Sequence, residues 1–290
     1  MSATSDYGHL VLTKPDSALV AHCTPSPNFD ARRADMSPDL LLLHYTGMDD
    51  HDRARAWLCN PISKVSCHYL VDVDGTITQM VAERARAWHA GKGGWLDETD
   101  INTCSVGIEV HNAGHDGGAP PYPATQMAAV RALSKDIVER WQISPARVLG
   151  HADIAPQRKP DPGEYFDWAG LAQAGIGLFP GERTAISPVL SRSLGATGGD
   201  EQSAAHRIAA DLRCAVSCGT VTKGEHGPHV RAARRLFAKL GFQVDLDGPA
   251  DDAFANVILA FQRHWRQSKA DGTLDIGTLA TLAALLSSPH

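Results

Sequence analysis

Four leucines stand in a row at positions 40–43, between Asp39 and His44. A short unbroken apolar run between polar residues reads as a strand buried on both faces, because a half-exposed strand alternates. This points to an α/β protein with a central mixed β-sheet flanked by helices. It also leaves His44 at a strand end, just before a turn at Thr46-Gly47. Other segments supply more of the sheet. Residues 66–73 alternate up to Asp74-Gly75, and residues 76–81 follow. Asp-Gly between two such runs signals a hairpin, since both residues accept the positive φ of a tight turn. Residues 106–110 form another strand, with Val106, Ile108 and Val110 on one face and Glu109 with His111 on the other. A short strand at 148–149 leads into Gly150-His151. Helices are expected over 50–59, 125–141 and 165–174, the second from the helical spacing of Met127, Val130, Ile137 and Trp141. Residues 152–164 carry three prolines and read as a loop. Residues 1–38 read as an irregular arm with one strand at 9–12.

The chain has 290 residues, enough for about two domains. A polar Gly/Ser/Pro-rich stretch without periodicity divides it. The expected organisation is residues 1–180 as the α/β domain, 181–203 as a linker, and 204–290 as a small all-α domain. Amphipathic segments at 204–215, 228–241, 251–267 and 276–286 supply its helices. No apolar run approaches the roughly 20 residues of a membrane span. Net charge is −6, so no basic excess calls for nucleic acid. The start, MSATSDYGHL, has neither a basic nor an apolar signal region. A cytoplasmic protein is expected, or a periplasmic one if a leader was removed, acting as a monomer. The six cysteines include no Cys-x-x-Cys pair and read as reduced, structural thiols.

Histidine is abundant, with 14 in the chain. His44 ends one strand, His151 follows another, and Asp161 sits in the loop after it. These three suit one zinc ion, since a catalytic zinc takes three N or O protein ligands and keeps a position open. Cys214, Cys218, His226 and His229 have a spacing that fits no familiar ligand set, so one zinc per chain is expected.

The run Gly150-His-Ala-Asp-Ile-Ala-Pro-Gln-Arg-Lys-Pro-Asp-Pro-Gly163 resembles the signature of zinc-dependent N-acetylmuramoyl-L-alanine amidases of the AmpD/AmiD type. Those enzymes are related to the peptidoglycan recognition proteins. Four more blocks match in the same order: Leu43-His44-Tyr45-Thr46, Ser66-Cys67-His68-Tyr69, Ala87-Trp88-His89-Ala90-Gly91 and Val106-Gly107-Ile108-Glu109. The resemblance spans residues 40–170. It implies zinc on His44, His151 and Asp161, with Glu109 as the catalytic carboxylate and Lys159 as its cationic partner. It further implies cleavage of the amide between N-acetylmuramic acid and L-alanine in peptidoglycan or muropeptides. Glu109 would act as general base and then as general acid toward the leaving amine, and Lys159 would stabilise the oxyanion. His68, His89, Asn112 and Arg158 lie in or beside the matching blocks and are expected to contact substrate. The alternative within the superfamily is a peptidoglycan-binding protein without activity, a class that typically lacks one of the ligands.

Residues 204–286 resemble a three-helix peptidoglycan-binding domain. The carriers are Leu240-Gly241-Phe242, Asp247-Gly248, Ala260-Phe261-Gln262-Arg263-His264 and Asp271-Gly-Thr-Leu-Asp275 with Thr278-Leu279. Val230-Arg-Ala-Ala-Arg-Arg-Leu236 stands where that family has a Leu-Gln pair. The resemblance implies a module that anchors the enzyme on glycan and raises the local substrate concentration.

Overall fold

A computed structural model of the chain describes residues 8–33, 36–182, 204–217 and 219–288. Among these, the strands in chain order are His22–Cys23 (β1), Phe29–Ala31 (β2), Leu40–Tyr45 (β3), Tyr69–Val71 (β4), Ile77–Gln79 (β5), Ala85–Ala87 (β6), Ser105–Val110 (β7) and Val148–Gly150 (β8). The helices are His51–Leu58 (α1), Ile101–Cys104 (α2), Ala124–Trp141 (α3), His151–Ile154 (α4), Trp168–Gln173 (α5), Ala204–Val216 (α6), Pro228–Leu240 (α7), Asp252–Trp265 (α8) and Ile276–Leu286 (α9). The chain divides into two compact units. The first comprises Met1–Gly93, Thr99–Ala152 and Lys159–Leu178, and the second Gly94–Glu98, Asp153–Arg158 and Phe179–His290. The second unit thus takes in two short inner segments as well as the residues from Phe179 on. From residue 183 to 203 the expected linker lies outside the described residues.

The first unit is built on a six-stranded mixed sheet of order β1-β5-β4-β7-β3-β8. Strands β4, β7, β3 and β8 run parallel, while β5 is antiparallel to β4. Leu40 to Leu43 are fully buried in β3, as the sequence demands of a central strand. Each such leucine contributes up to about 2–3 kcal/mol on burial. The Asp-Gly hairpin forms as expected, with Gly75 at φ 88° closing β4 onto β5. Helix α3 packs across β3, β4 and β7 and buries Met127, Val130, Leu133 and Ile137. Helix α1 starts at Asp50, whose carboxylate accepts the Arg53 N–H at 2.8 Å. Its Leu58 packs in a cluster with Cys67, Leu70 and Met80. The buried Glu83 carboxylate ties α3 to the sheet. It accepts the Tyr69 hydroxyl and the Trp141 indole N–H, each at 2.6 Å, and the Arg140 Nε–H at 2.9 Å.

The arm differs from its expected form. Residues 9–12 make no strand, and Gly8–Leu10 is a single 3₁₀ turn. Further along, β1 pairs parallel with β5 and β2 pairs antiparallel with β6 as a separate two-stranded sheet. Arg32 anchors this segment, its buried guanidinium donating to the carbonyls of Glu83, Asn102, Thr103 and Ser105.

In the second unit, helices α6 to α9 follow the expected segments closely. Asp251 and Asp275 cap α8 and α9, accepting the N–H groups of Phe254 and Thr278 at 2.9 Å. Phe237 meets Phe254 and Phe261 edge-on, with ring centroids 5.6 and 5.4 Å apart. The Gln262 side chain braces the 271–273 turn: Oε1 accepts the N–H groups of Asp271 and Gly272, and Nε2 donates to the Thr273 carbonyl. Of the inner segments, Trp95 meets Phe242 at 5.1 Å and lies against Gly241, where any Cβ would fall 2.3 Å from its ring. Asp153 pairs with His264 at 2.7 Å, both buried.

Candidate metal centre

Strand register places the site. On adjacent parallel strands His44 stands opposite Glu109, so the two side chains share one face of the sheet. Leu43 stands opposite Gly150, and His151 is the next residue after it. Three neighbouring strands, β7, β3 and β8, therefore present Glu109, His44 and His151 in a row at their carboxyl ends. That rim is the usual position for sites in α/β sheets. Asp161 is brought back to the row by its own carbonyl, which accepts the Ala152 N–H at 2.8 Å.

The three expected ligands converge. His44 Nδ1 lies 2.9 Å from His151 Nδ1 and 3.2 Å from Asp161 Oδ2, and His151 Nδ1 lies 3.0 Å from that same oxygen. All three side chains are buried. Burial, and then the neighbouring His151, push the His44 imidazole down to about 4, against the pull of the Asp161 carboxylate. Burial alone would raise the Asp161 carboxyl, but His151 and His44 outweigh it and hold that group well below the usual carboxylate range.

This arrangement fits a divalent metal. His151 Nε2 is 2.9 Å from the Ala90 carbonyl, which can only accept, so the ring carries its proton on Nε2 and leaves a bare lone pair on Nδ1. Imidazole nitrogens and a carboxylate oxygen that close, all buried, present lone pairs that a cation satisfies. One carboxylate and two imidazoles are a ligand set typical of zinc. Among the described residues this is the cluster whose ligand atoms lie within 4.8 Å of one another. Cys218 lies outside the described residues, so the Cys214/Cys218 spacing is not resolved into a geometry.

A cavity of about 290 Å³ is lined by two members of the triad, His151 and Asp161, and its other lining residues include two kinds. His89, Glu109 and Lys159 are titratable, while Met48, Ala54, Trp57, Leu58 and Val65 are apolar. Glu109 Oε2 is buried without a hydrogen-bond partner. Burial, and then the Asp161 carboxylate, push the Glu109 carboxyl well above its usual range, against the pull of Lys159.

The residues expected to contact substrate are placed differently from one another. His89 lines the cavity but is largely buried, and its Nδ1 lies 3.0 Å from His44 Nε2. His68 is fully buried and is not among the cavity's lining residues. Its Nδ1 accepts the Gly107 N–H at 2.9 Å and its Nε2 faces the Ala85 carbonyl at 3.1 Å. Asn112 shapes the 112–120 loop, donating to the Pro120 carbonyl and accepting the Gly114 N–H. Arg158 is exposed and belongs to the second unit. Sequence reasoning missed the apolar lining of the cavity, and it gave no role to Asn102, Ser105 and Gly107 behind the ligands. Only Gly107 left a signal, since an isolated glycine inside a strand marks a close approach.

Comparison with known proteins agrees with this geometry. The family model described as N-acetylmuramoyl-L-alanine amidase matches residues 33–164. N-acetylmuramoyl-L-alanine amidase AmiD of Escherichia coli K12 is 35% identical over 260 residues, covering 85% of this chain and 82% of the relative. The solved complex of the E. coli enzyme AmiD with anhydro-N-acetylmuramic acid-L-Ala-D-γ-Glu-L-Lys superposes with a TM-score of 0.65 at 34% identity, over 88% of this chain and 91% of that one. AmpDH3 of Pseudomonas aeruginosa, solved with anhydromuramic pentapeptide, gives 0.64 at 30% identity over 90% and 96%. The 1,6-anhydro-N-acetylmuramyl-L-alanine amidase AmpD of Citrobacter freundii is 32% identical but covers only 51% of this chain, against 87% of its own length. A six-stranded mixed sheet flanked by helices, a His-His-Asp cluster at its rim and likeness to AmiD along most of its length all place this chain in the family of N-acetylmuramoyl-L-alanine amidases.

Proposed function

We propose that the chain hydrolyses the amide joining the lactyl group of N-acetylmuramic acid to L-alanine, with one zinc ion held by His44, His151 and Asp161. The observation that carries this reading is the buried triangle of two Nδ1 atoms and a carboxylate oxygen, 2.9 to 3.2 Å on a side, two of whose residues, His151 and Asp161, line one cavity with Glu109 and Lys159. Bound zinc supplies Lewis acidity there, polarising a carbonyl and acidifying water.

The chain's own residues do the rest. Glu109, with its raised affinity for a proton, takes one from the attacking water and delivers it to the L-alanine nitrogen as the amide breaks. Lys159 donates to the oxygen that becomes negative in the tetrahedral intermediate. The apolar lining residues Met48, Trp57, Leu58 and Val65 suit the lactyl methyl and a face of the sugar. Arg158 suits a carboxylate of the stem peptide. We assign residues 204–290 to holding glycan, because the helices α6 to α9 form on the segments that resemble a peptidoglycan-binding domain.

The test is a zinc-dependent digest of soluble anhydromuropeptide and of insoluble peptidoglycan, with products read by mass spectrometry. Release of an intact stem peptide from muramic acid is the expected result, and cleavage elsewhere refutes the reading. Glu109→Gln should lower kcat by about 10²–10⁴-fold with zinc retained. Near wild-type turnover of that variant would remove Glu109 from the chemistry.

A further inference from the structure

We propose that His89 and Ser105 are positioning residues that hold His44 in the one tautomer able to ligate a metal. The inference rests on the metal reading of the triad and concerns groups behind it. A neutral imidazole carries one N–H, and the bond made by one nitrogen decides which nitrogen holds it.

The chain of bonds has a direction set at its far end. Ser105 Oγ has a single proton, and it is spent on the Ile101 carbonyl at 2.6 Å. Toward His89 Nε2, 3.3 Å away, the hydroxyl is therefore an acceptor, and His89 carries its proton on Nε2. This leaves His89 Nδ1 as a lone pair facing His44 Nε2 at 3.0 Å, so His44 is protonated on Nε2. His44 Nδ1 is then bare, and it is the atom that meets His151 and Asp161. Run in the opposite direction, the chain would put the His44 proton on Nδ1 and block ligation.

The two imidazole ligands are set from adjacent residues. His89 orients His44, and the carbonyl of Ala90 orients His151. One side chain fixes that pair of residues: Asn102 Oδ1 accepts the N–H of His89 at 3.0 Å and that of Ala90 at 2.8 Å. The His89 ring lies directly over Gly107, where a Cβ would fall 2.5 Å from Nδ1. Ser105, His89 and Asn102 are all buried, so water has little access to these bonds.

The experiment is a zinc titration of the metal-free protein against a chromophoric chelator, without substrate. His89→Ala should weaken zinc binding by about 10–100-fold, the usual cost of losing such an outer partner. His89→Asn, whose Oδ1 occupies the place of Nδ1, should recover most of that loss, which a purely space-filling role would not allow. Nitrogen-15 NMR of the metal-free wild type should show the His44 proton on Nε2. A folded His89→Ala variant within about twofold of wild-type zinc affinity overturns the proposal, as does a His44 proton on Nδ1. Where His89→Ala does not fold, Ser105→Ala is titrated instead, and unchanged zinc affinity in it is equally fatal. Failure of the wild type to bind zinc would refute the metal assignment, while the NMR result still judges the tautomer chain by itself.

Discussion

A single methyl group added at Gly107 tests how tightly the back of the metal centre is packed. In Gly107→Ala the new carbon would fall 2.5 Å from Nδ1 and 2.6 Å from Cγ and Cε1 of His89, where ordinary contact begins near 3.4 Å. The ring must therefore retreat by about 0.9 Å, because the other party is strand backbone held by its neighbours. A ring displaced that far cannot keep both its 3.0 Å bond to His44 and its 3.3 Å bond to Ser105. Overpacking of this kind costs about 1–3 kcal/mol, and a weakened buried hydrogen bond adds about 1 kcal/mol. The sum, about 2–4 kcal/mol, corresponds to a fall in Tm of about 5–15 °C for a unit of this size. Thermal unfolding of the metal-free protein by circular dichroism measures it, and zinc affinity measured alongside should fall as well. Gly8→Ala is the control, since a Cβ there meets nothing within 4 Å. A Gly107→Ala protein that melts within about 2 °C of wild type and binds zinc equally would refute the packing argument.

Two further predictions concern protons. Lys159 lowers the Glu109 carboxyl against burial, so Lys159→Met should move the acid limb of the kcat/KM profile to higher pH. It should also cut kcat by about 10²–10³-fold, and an unmoved limb would show that the two charges are not coupled in the working enzyme. The second concerns the metal-free protein, in which burial lowers His44 to about 4 and His68 to about 3, both below the ordinary 6.5. Below pH 6.5 the unfolded chain binds protons that the folded chain refuses, so this stability is full above that pH and is lost as pH falls toward the folded values. The slope is at most about 1.4 kcal/mol per pH unit for each histidine. Urea midpoints at pH 7 and pH 5 check it, and equal midpoints would argue against neutral burial.

The features legible in the sequence were those with local causes. Leu40–Leu43, the Asp-Gly hairpin, α3 and the four C-terminal helices each announce themselves through patterning or turn chemistry within a few residues. The triad was legible because its members end strands or follow them, and because the blocks around them resemble a family. What was not legible depends on distant partners. Strands β1, β2 and β6 have two or three residues each, too short for any period, and exist because β5 and one another supply the ladder. The segments Gly94–Glu98 and Asp153–Arg158 carry no mark that they cluster with residues far along the chain. His68 and His89 sit in blocks like those of the ligands, and sequence alone could not separate a histidine facing substrate from one supporting another histidine. Only distances such as that from His89 Nδ1 to His44 Nε2 distinguish the two.

The row of Glu109, His44 and His151 across three strands gives the site a use as a gauge. Side chains alternate along a strand, so a slip of β3 by one residue would bring Leu43 or Tyr45 to the rim and turn His44 to the opposite face. A collapsed chain with the right helices but a misregistered sheet would look nearly native by its overall secondary structure. It would nevertheless have no three-point cation site. Metal uptake followed in time during refolding would thus clock the moment when β7, β3 and β8 lock into register, separately from the moment when the chain becomes compact.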